Sequence, residues 1–164
     1  MKDFDWTHFS KRIYINADID VVYDAWTQTK EIEKWFLAKA EFYSKNGEKL
    51  PPHENVKSDS KYRWKWFAQN HSEEGYIIRT NENNHIEFTF AGNCKVQIRL
   101  QQEKKQTLVE LTQTEIPLDD SSKQNIRLGC AFGWTFYLLN LKSVLEGGLD
   151  LRNKNSELVG VVNN

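Results

Sequence analysis

The stretch GCAFGWTFYLLNLKSVLEGG, Gly129 to Gly148, has the length of a helix and is apolar on two faces. On a helical wheel turning about 100° per residue, one apolar stripe contains Ala131, Trp134, Leu138, Leu141 and Leu145. A second stripe, almost opposite, contains Leu128, Phe132, Phe136 and Leu139. A soluble helix that borders one core needs only one apolar face. Both faces of this helix are therefore expected to be covered.

Length and composition indicate one globular domain. A chain of 164 residues buries about 70% of its unfolded surface, which is enough for a core without disulfides or metals. The net charge of -1 and a pI near 6.4 favour neither nucleic acid nor an anionic membrane as a partner. The sequence shows no signal peptide and no apolar run long enough to span a bilayer, so we expect a cytoplasmic protein.

Alternating apolar and polar residues predict a series of antiparallel strands. A first strand is expected at residues 8–15 and a second at residues 40–45. From Tyr62 to Ile116, five further segments of six to ten residues alternate in the same way and are separated by short polar turns. This pattern is typical of an antiparallel meander with one face in water.

Two short helices are expected between the first two strands. After Asp18, a plausible N-cap, Ile19, Val22, Tyr23 and Trp26 recur at helical spacing. A second short helix is expected at residues 30–36. The sequence therefore predicts an α+β fold in which a twisted antiparallel sheet of six or seven strands wraps around the long C-terminal helix. Residues 1–150 would form the single domain, followed by a polar tail at residues 151–164.

Three motifs resemble one known family. The segment NADIDVVYDAWTQTKEIEKWF (16–36) resembles the opening of the SRPBCC superfamily, which has the START-like or helix-grip fold. VKSDSKYRWKWF (56–67) resembles the family's turn into a Trp-rich strand, although Ser58 stands where a Gly is usual. GWTFYLLNLKSVLEGG (133–148) resembles its ending. Within the superfamily, the chain is most similar to the homologues of the activator of the heat-shock chaperone ATPase.

The resemblance implies a cavity between the sheet and the C-terminal helix, in which superfamily members bind apolar or aromatic small molecules. The leading hypothesis is therefore a binding protein for a small apolar ligand, without catalysis and without a cofactor. Aromatic type and position select the candidate cavity residues, although large rings also fill cores. They are Trp26, Trp35, Phe36, Trp64, Trp66, Phe88, Phe90, Trp134, Tyr137 and Leu138.

Two alternatives stay open. In the first, the chain is a protein-interaction module, and the second stripe (Leu128, Phe132, Phe136 and Leu139) forms a homodimer interface that Gly129 and Gly133 allow to pack closely. The resemblance also implies a chaperone as a partner, although the additional N-terminal domain of the eukaryotic namesake is not present in this sequence. In the second alternative, a carboxylate such as Glu110 faces the cavity and serves a lyase or cyclase as a general acid or base.

No metal site or phosphate loop is expected. The four histidines (His8, His53, His71 and His85) are scattered and show no spacing typical of metal ligands. Cys94 and Cys130 form no CxxC pair and are expected to be free, reduced thiols.

Overall fold

The computed structural model describes residues 4–164. These residues form seven strands and four α-helices, with a π-helical segment (Lys123–Leu128) between the last two helices. The strands are β1 (Phe9–Ile15), β2 (Lys39–Tyr43), β3 (Lys61–Lys65), β4 (Ser72–Thr80), β5 (His85–Phe90), β6 (Cys94–Glu103) and β7 (Gln106–Thr114). The α-helices are α1 (Ile19–Thr27), α2 (Thr29–Ile32), α3 (Asp120–Ser122) and α4 (Gly129–Leu145).

All seven strands form one antiparallel sheet in the order β1-β7-β6-β5-β4-β3-β2. Since β1 pairs with β7, the first strand closes the meander that the alternation predicts. Trp64, Phe88 and Ile98 point to the inner face of the sheet and are no more than 1% exposed. The helix α4 lies across this inner face, so the predicted helix-grip fold is confirmed.

Helical structure begins at Asp120, before the first residue of α4, because α3, the π-helical segment and α4 follow one another without a break. The Asp119 side chain accepts a hydrogen bond from the Ser122 backbone N–H (2.9 Å) and caps α3. The chain then passes through the π-helical segment directly into α4. Segments of this kind are often found at functional sites.

The two short helices differ in detail from the sequence prediction. The second ends at Ile32, and turns carry the chain through Trp35 and Phe36. The Trp35 indole N–H donates to the Ala25 carbonyl at 2.8 Å, which holds this turn against α1. Asp18 makes no side-chain cap; instead, the Gln102 side-chain oxygen accepts from the Ile19 N–H at 2.8 Å.

The segment after α4 folds back onto the domain. Arg152 has a side chain only 3% exposed and donates to the carbonyls of Leu37 (2.8 Å) and Glu33 (2.9 Å). Asp150 accepts from the same guanidinium at 2.8 Å. These buried, charge-assisted bonds fix the start of the segment to the turn that follows α2.

Candidate functional site

Most of the space between the sheet and α4 is filled by aromatic rings. All ten candidate cavity residues lie there, and nine are at most 8% exposed, Phe90 being half-buried. Trp26 meets Trp35 with ring centroids 4.7 Å apart, and Phe36 stacks on Trp134 at 5.1 Å. Ring pairs at these distances stabilise a core by more than their buried area alone. Trp26, Trp35, Trp64, Phe88 and Leu138 lie in this filled part of the core.

A cleft of about 400 Å³ remains open at one end of the domain. It lies between the N-terminal half of α4, the β3–β4 connection and the end of β5. The candidate residues that line it are Phe36, Trp66, Phe90, Trp134 and Tyr137. The structure therefore divides the ten candidates into five that border open space and five that do not.

Two glycines of α4 keep the cleft open. A Cβ built on Gly133 would meet no atom within 4 Å, and one on Gly129 would approach only the Gln124 carbonyl, at 3.7 Å. Gly75 in β4, by contrast, has no room for a side chain, because a Cβ built there would lie 2.6 Å from the Tyr62 hydroxyl. The four-residue spacing of Gly129 and Gly133 is visible in the sequence. However, this spacing is as typical of a helix on which another segment packs closely as of a helix that borders an open cleft.

Polar groups line the outer part of the cleft. The β3–β4 connection and β4 bring Gln69, His71 and Glu73 to its rim, and Glu73 accepts from the Ala91 N–H at 2.7 Å. Burial raises the pKa of Cys130 to about 11 and that of Tyr137 to about 12. Both groups are therefore protonated at neutral pH, and Cys130 is a poor nucleophile there. The described part of the chain holds no group of three His, Cys, Asp or Glu side chains that could bind a metal.

The C-terminal residue supplies a further wall of the cleft. Asn164 borders it, and the Asn164 carbonyl accepts from the Tyr137 hydroxyl at 3.3 Å. The Asn163 carbonyl accepts from the Asn153 backbone N–H at 2.7 Å, and the Asn163 side-chain amide donates to the Leu151 carbonyl at 2.7 Å. The sequence contains no signal for this contribution, because a polar tail carries no pattern that indicates where it packs.

The second stripe of the C-terminal helix lies in water. Leu128, Phe132 and Leu139 are 51%, 62% and 52% exposed, while Phe136 is half-buried beside Tyr137. No other segment of residues 4–164 covers these side chains, and the loop after β2 packs on α1, where the Val56 N–H donates to the Thr27 carbonyl.

Glu110 lies on the other side of the sheet from α4. It stands in β7 opposite Arg12 of β1, and its carboxylate lies 3.3 Å from the Arg12 guanidinium. Its neighbours in sequence, Val109 and Leu111, are the residues that point into the core. The carboxylate that borders the cleft is Glu73.

Solved structures with the same fold span almost the whole chain. A Staphylococcus saprophyticus protein, SSP2350, is 19% identical with a TM-score of 0.69, covering 88% of this chain and 96% of that one. The Aha1 dimer from Colwellia psychrerythraea is 20% identical with a TM-score of 0.66, covering 86% and 97%. An HSP90 activator from Plasmodium falciparum, PFC0360w, is 17% identical with a TM-score of 0.61, covering 85% and 96%. At these identities the likeness shows the fold.

Sequence comparison gives the family. No curated protein sequence is significantly similar to the chain. No helix of residues 4–164 is long and apolar enough to cross a membrane. The profile of one family matches residues 16–146, most of the chain and nearly all of the sheet and α4. The chain therefore belongs to the family of the activator of Hsp90 ATPase homolog 1-like proteins.

Proposed function

We propose that the protein binds a small, mostly apolar ligand in the cleft beside α4. The observation that carries this proposal is that α4 has no side chains at Gly129 and Gly133 (the glycine wall), where it faces aromatic rings across open space. A volume of about 400 Å³ lies within the range of small-molecule sites. A core that needed only packing would fill such a space with side chains.

The chemistry of the walls defines the kind of ligand. Trp66 and Phe90 offer ring surfaces on the sheet side, and the glycines allow a flat group to approach the helix backbone. His71 and Glu73 at the rim can bind one polar group of the ligand. The best match is a planar aromatic molecule with a single hydrogen-bonding substituent, held without covalent chemistry because the Cys130 pKa is raised.

Filling the cleft from the helix side tests this proposal. Gly133→Leu places a side chain in open space, so the fold should persist while an apolar fluorescent probe loses at least about tenfold in affinity. Thr135→Leu adds bulk to the exposed side of the same helix and is the matched control. Probe titration followed by Trp emission gives the affinity, and circular dichroism reports the fold.

Two outcomes would reject the cleft as the binding site. One is a folded wild type with no saturable probe binding. The other is a probe that responds to Thr135→Leu and not to Gly133→Leu, which would place the bound molecule on the exposed stripe.

A second candidate function is self-association through the exposed stripe of α4. Leu128, Phe132 and Leu139 are each more than half exposed, and together they present roughly 300 Å² of apolar surface, taking 200 Å² for a fully exposed large side chain. Two copies related by a two-fold axis would bury about 600 Å² of these side chains, which is half of the smallest area in the range of about 1,200–2,000 Å² for stable interfaces, so neighbouring residues of the same face would have to supply the rest. The flanking Thr135 and Ser143 would supply the polar rim.

Charge placed on the stripe tests the dimer. Phe132→Asp should convert a dimer to a folded monomer, and Thr135→Asp, with the same charge at the edge of the stripe, should weaken it less. Sedimentation at micromolar concentration measures the mass. A wild type that sediments as a monomer contradicts the dimer, and a chaperone or another protein then becomes the expected occupant of this face.

The remaining hypotheses have weaker support. A lyase or cyclase would have to use Glu73, because Glu110 lies on the outer face of the sheet. A cytoplasmic location is supported by Cys94 and Cys130, which are both free thiols.

A further inference from the structure

A separate groove of about 930 Å³ opens on the face of the sheet that points away from α4. We call it the outer groove and define it by Arg12, Arg79, Asn84, His85, Arg99 and Glu110. These residues come from β1, β4, β5, β6, β7 and the β4–β5 turn. The outer groove and the cleft share no lining residue.

Strand register aligns the charged groups of the outer groove in a row. Arg12 in β1 is paired with Glu110 in β7, Glu110 with Arg99 in β6, and Arg99 with His85 in β5. Neighbouring strands are about 4.8 Å apart, so Arg12 and Arg99 stand about 10 Å from each other on either side of Glu110. Arg79 in β4 continues the positive charge beyond His85.

The row carries one more arginine than its carboxylates neutralise. The Arg12 guanidinium lies 3.3 Å from the Glu110 carboxylate, and Arg79 lies 2.9 Å from Glu87. Arg99 is exposed and forms no salt bridge with any residue from 4 to 164. Its guanidinium therefore retains donors for a planar, bidentate contact.

Neighbouring groups support an anion at Arg99. Burial and then Arg79 lower the pKa of His85, with Arg99 adding to this effect and Glu87 opposing it, so His85 is mostly neutral at pH 7 and the positive charge of the groove comes from its arginines. The turn beside it is rigid, because the Asn81 side chain accepts from the backbone N–H groups of Asn84 and His85, both at 2.9 Å. The Asn84 side-chain oxygen accepts from the Asn81 side-chain amide at 2.7 Å, and Asn84 lines the groove.

We propose that the outer groove binds a small molecule bearing a phosphate group, with Arg99 as its principal contact. An anion here has to compete with Glu110 for the arginines on either side of it, which favours a phosphate with two charges over a single carboxylate. Arg12 in β1 and Arg79 in β4 each lie two strands away from Arg99 in β6. Either arginine can therefore contact a second anionic group of the molecule whose phosphate is bound by Arg99. This site does not depend on the ligand of the cleft.

Calorimetric titration with pyrophosphate tests the assignment at an ionic strength of about 0.15 M, where exposed charges are largely screened. The wild type should bind one equivalent, and Arg99→Gln should lower the affinity at least about tenfold. Lys65→Gln is the matched control, because Lys65 is an exposed lysine in β3, outside the outer groove. It removes the same charge and should change the affinity less than about twofold.

Three results would overturn the proposal. The first is no saturable binding of pyrophosphate by the folded wild type. The second is an equal loss in Arg99→Gln and Lys65→Gln, which would show only a general charge effect. The third is binding to vesicles containing phosphatidic acid, sensitive to Arg99→Gln, without binding of pyrophosphate, which would identify the phosphate of a lipid surface instead of a soluble ligand.

Discussion

The two faces of α4 have similar residues and different surroundings. Trp134, Leu138 and Leu141 on the inner face are at most 3% exposed, whereas Phe132 and Leu139 on the outer face are more than half exposed. Both stripes are apolar and both have helical spacing. The difference arises because the seven-stranded sheet curves around one side of the helix only. Apolar spacing thus identifies a helix, while burial depends on what the rest of the chain places against it.

The inner stripe of α4 makes packing contacts, whereas the outer stripe and the glycine wall are mostly open to a binding partner. The inner stripe is held by ring contacts such as Phe36 on Trp134 at 5.1 Å. In the outer stripe only Phe136 has such a contact within residues 4–164, with Tyr137 at 5.1 Å, while Leu128, Phe132 and Leu139 are exposed. Substitutions on the inner stripe should therefore act on stability, and those on the glycine wall or the outer stripe should act mainly on binding.

The largest expected effect is at the centre of the inner stripe. Trp134→Ala removes a ring that is 2% exposed and the indole N–H that donates to Gln113 at 3.0 Å. The free energy of unfolding should fall by about 3–5 kcal/mol. Thr135→Ala, one residue away on the exposed side, should change it by no more than about 0.5 kcal/mol. Urea unfolding measures both, and similar losses in the two variants would contradict the inner–outer division.

A smaller effect is expected where the C-terminal segment meets α4. Burial raises the pKa of Asp150, but hydrogen bonds from Arg152, Lys154 and Asn140 outweigh it and hold the pKa well below the usual 3.8. Its contribution to stability is therefore present above about pH 4 and is lost as the pH falls through the folded-state pKa. Asp150→Asn should cost about 1.5–3 kcal/mol at pH 7, the range for hydrogen bonds to charged groups.

Unfolding measured between pH 7 and pH 2 checks the sign of this dependence. The wild type should lose stability on acidification toward the value of Asp150→Asn, so that the two curves converge. A gap between them that stays constant down to pH 2 would mean that the Asp150 carboxylate does not stabilise the docked segment. Asp120→Asn is a suitable control, because the Asp120 side chain is fully exposed.

The smallest effect is a gain in stability at the glycine wall. Gly133→Ala adds a methyl group that meets no atom within 4 Å, and alanine is favoured over glycine in a helix by about 0.8–1.0 kcal/mol. The variant should therefore unfold at higher urea concentration than the wild type. A loss of stability would show that the wall is already in contact with another part of the protein.

The secondary-structure elements and the family can be predicted from local sequence patterns. Alternation at Ile86, Phe88 and Phe90 fixed both the strand and the face that it buries, since side chains in a strand point to opposite faces in turn. Helical spacing after Asp18 gave α1, and the motifs at residues 16–36 and 133–148 led to the family whose profile matches. These features depend on residues close together in the chain, so local sequence contains them.

Which surfaces stay open depends on how the elements pack against one another. The sequence contains two apolar stripes on one helix, and the wrapping of the sheet selected the one that is buried. The register of β7 against β1 placed Glu110 on the outer face beside Arg12. The docking of Arg152 onto the Glu33 and Leu37 carbonyls brought Asn164 to the cleft. Each of these outcomes depends on contacts between residues far apart in sequence, whose energies no local pattern encodes.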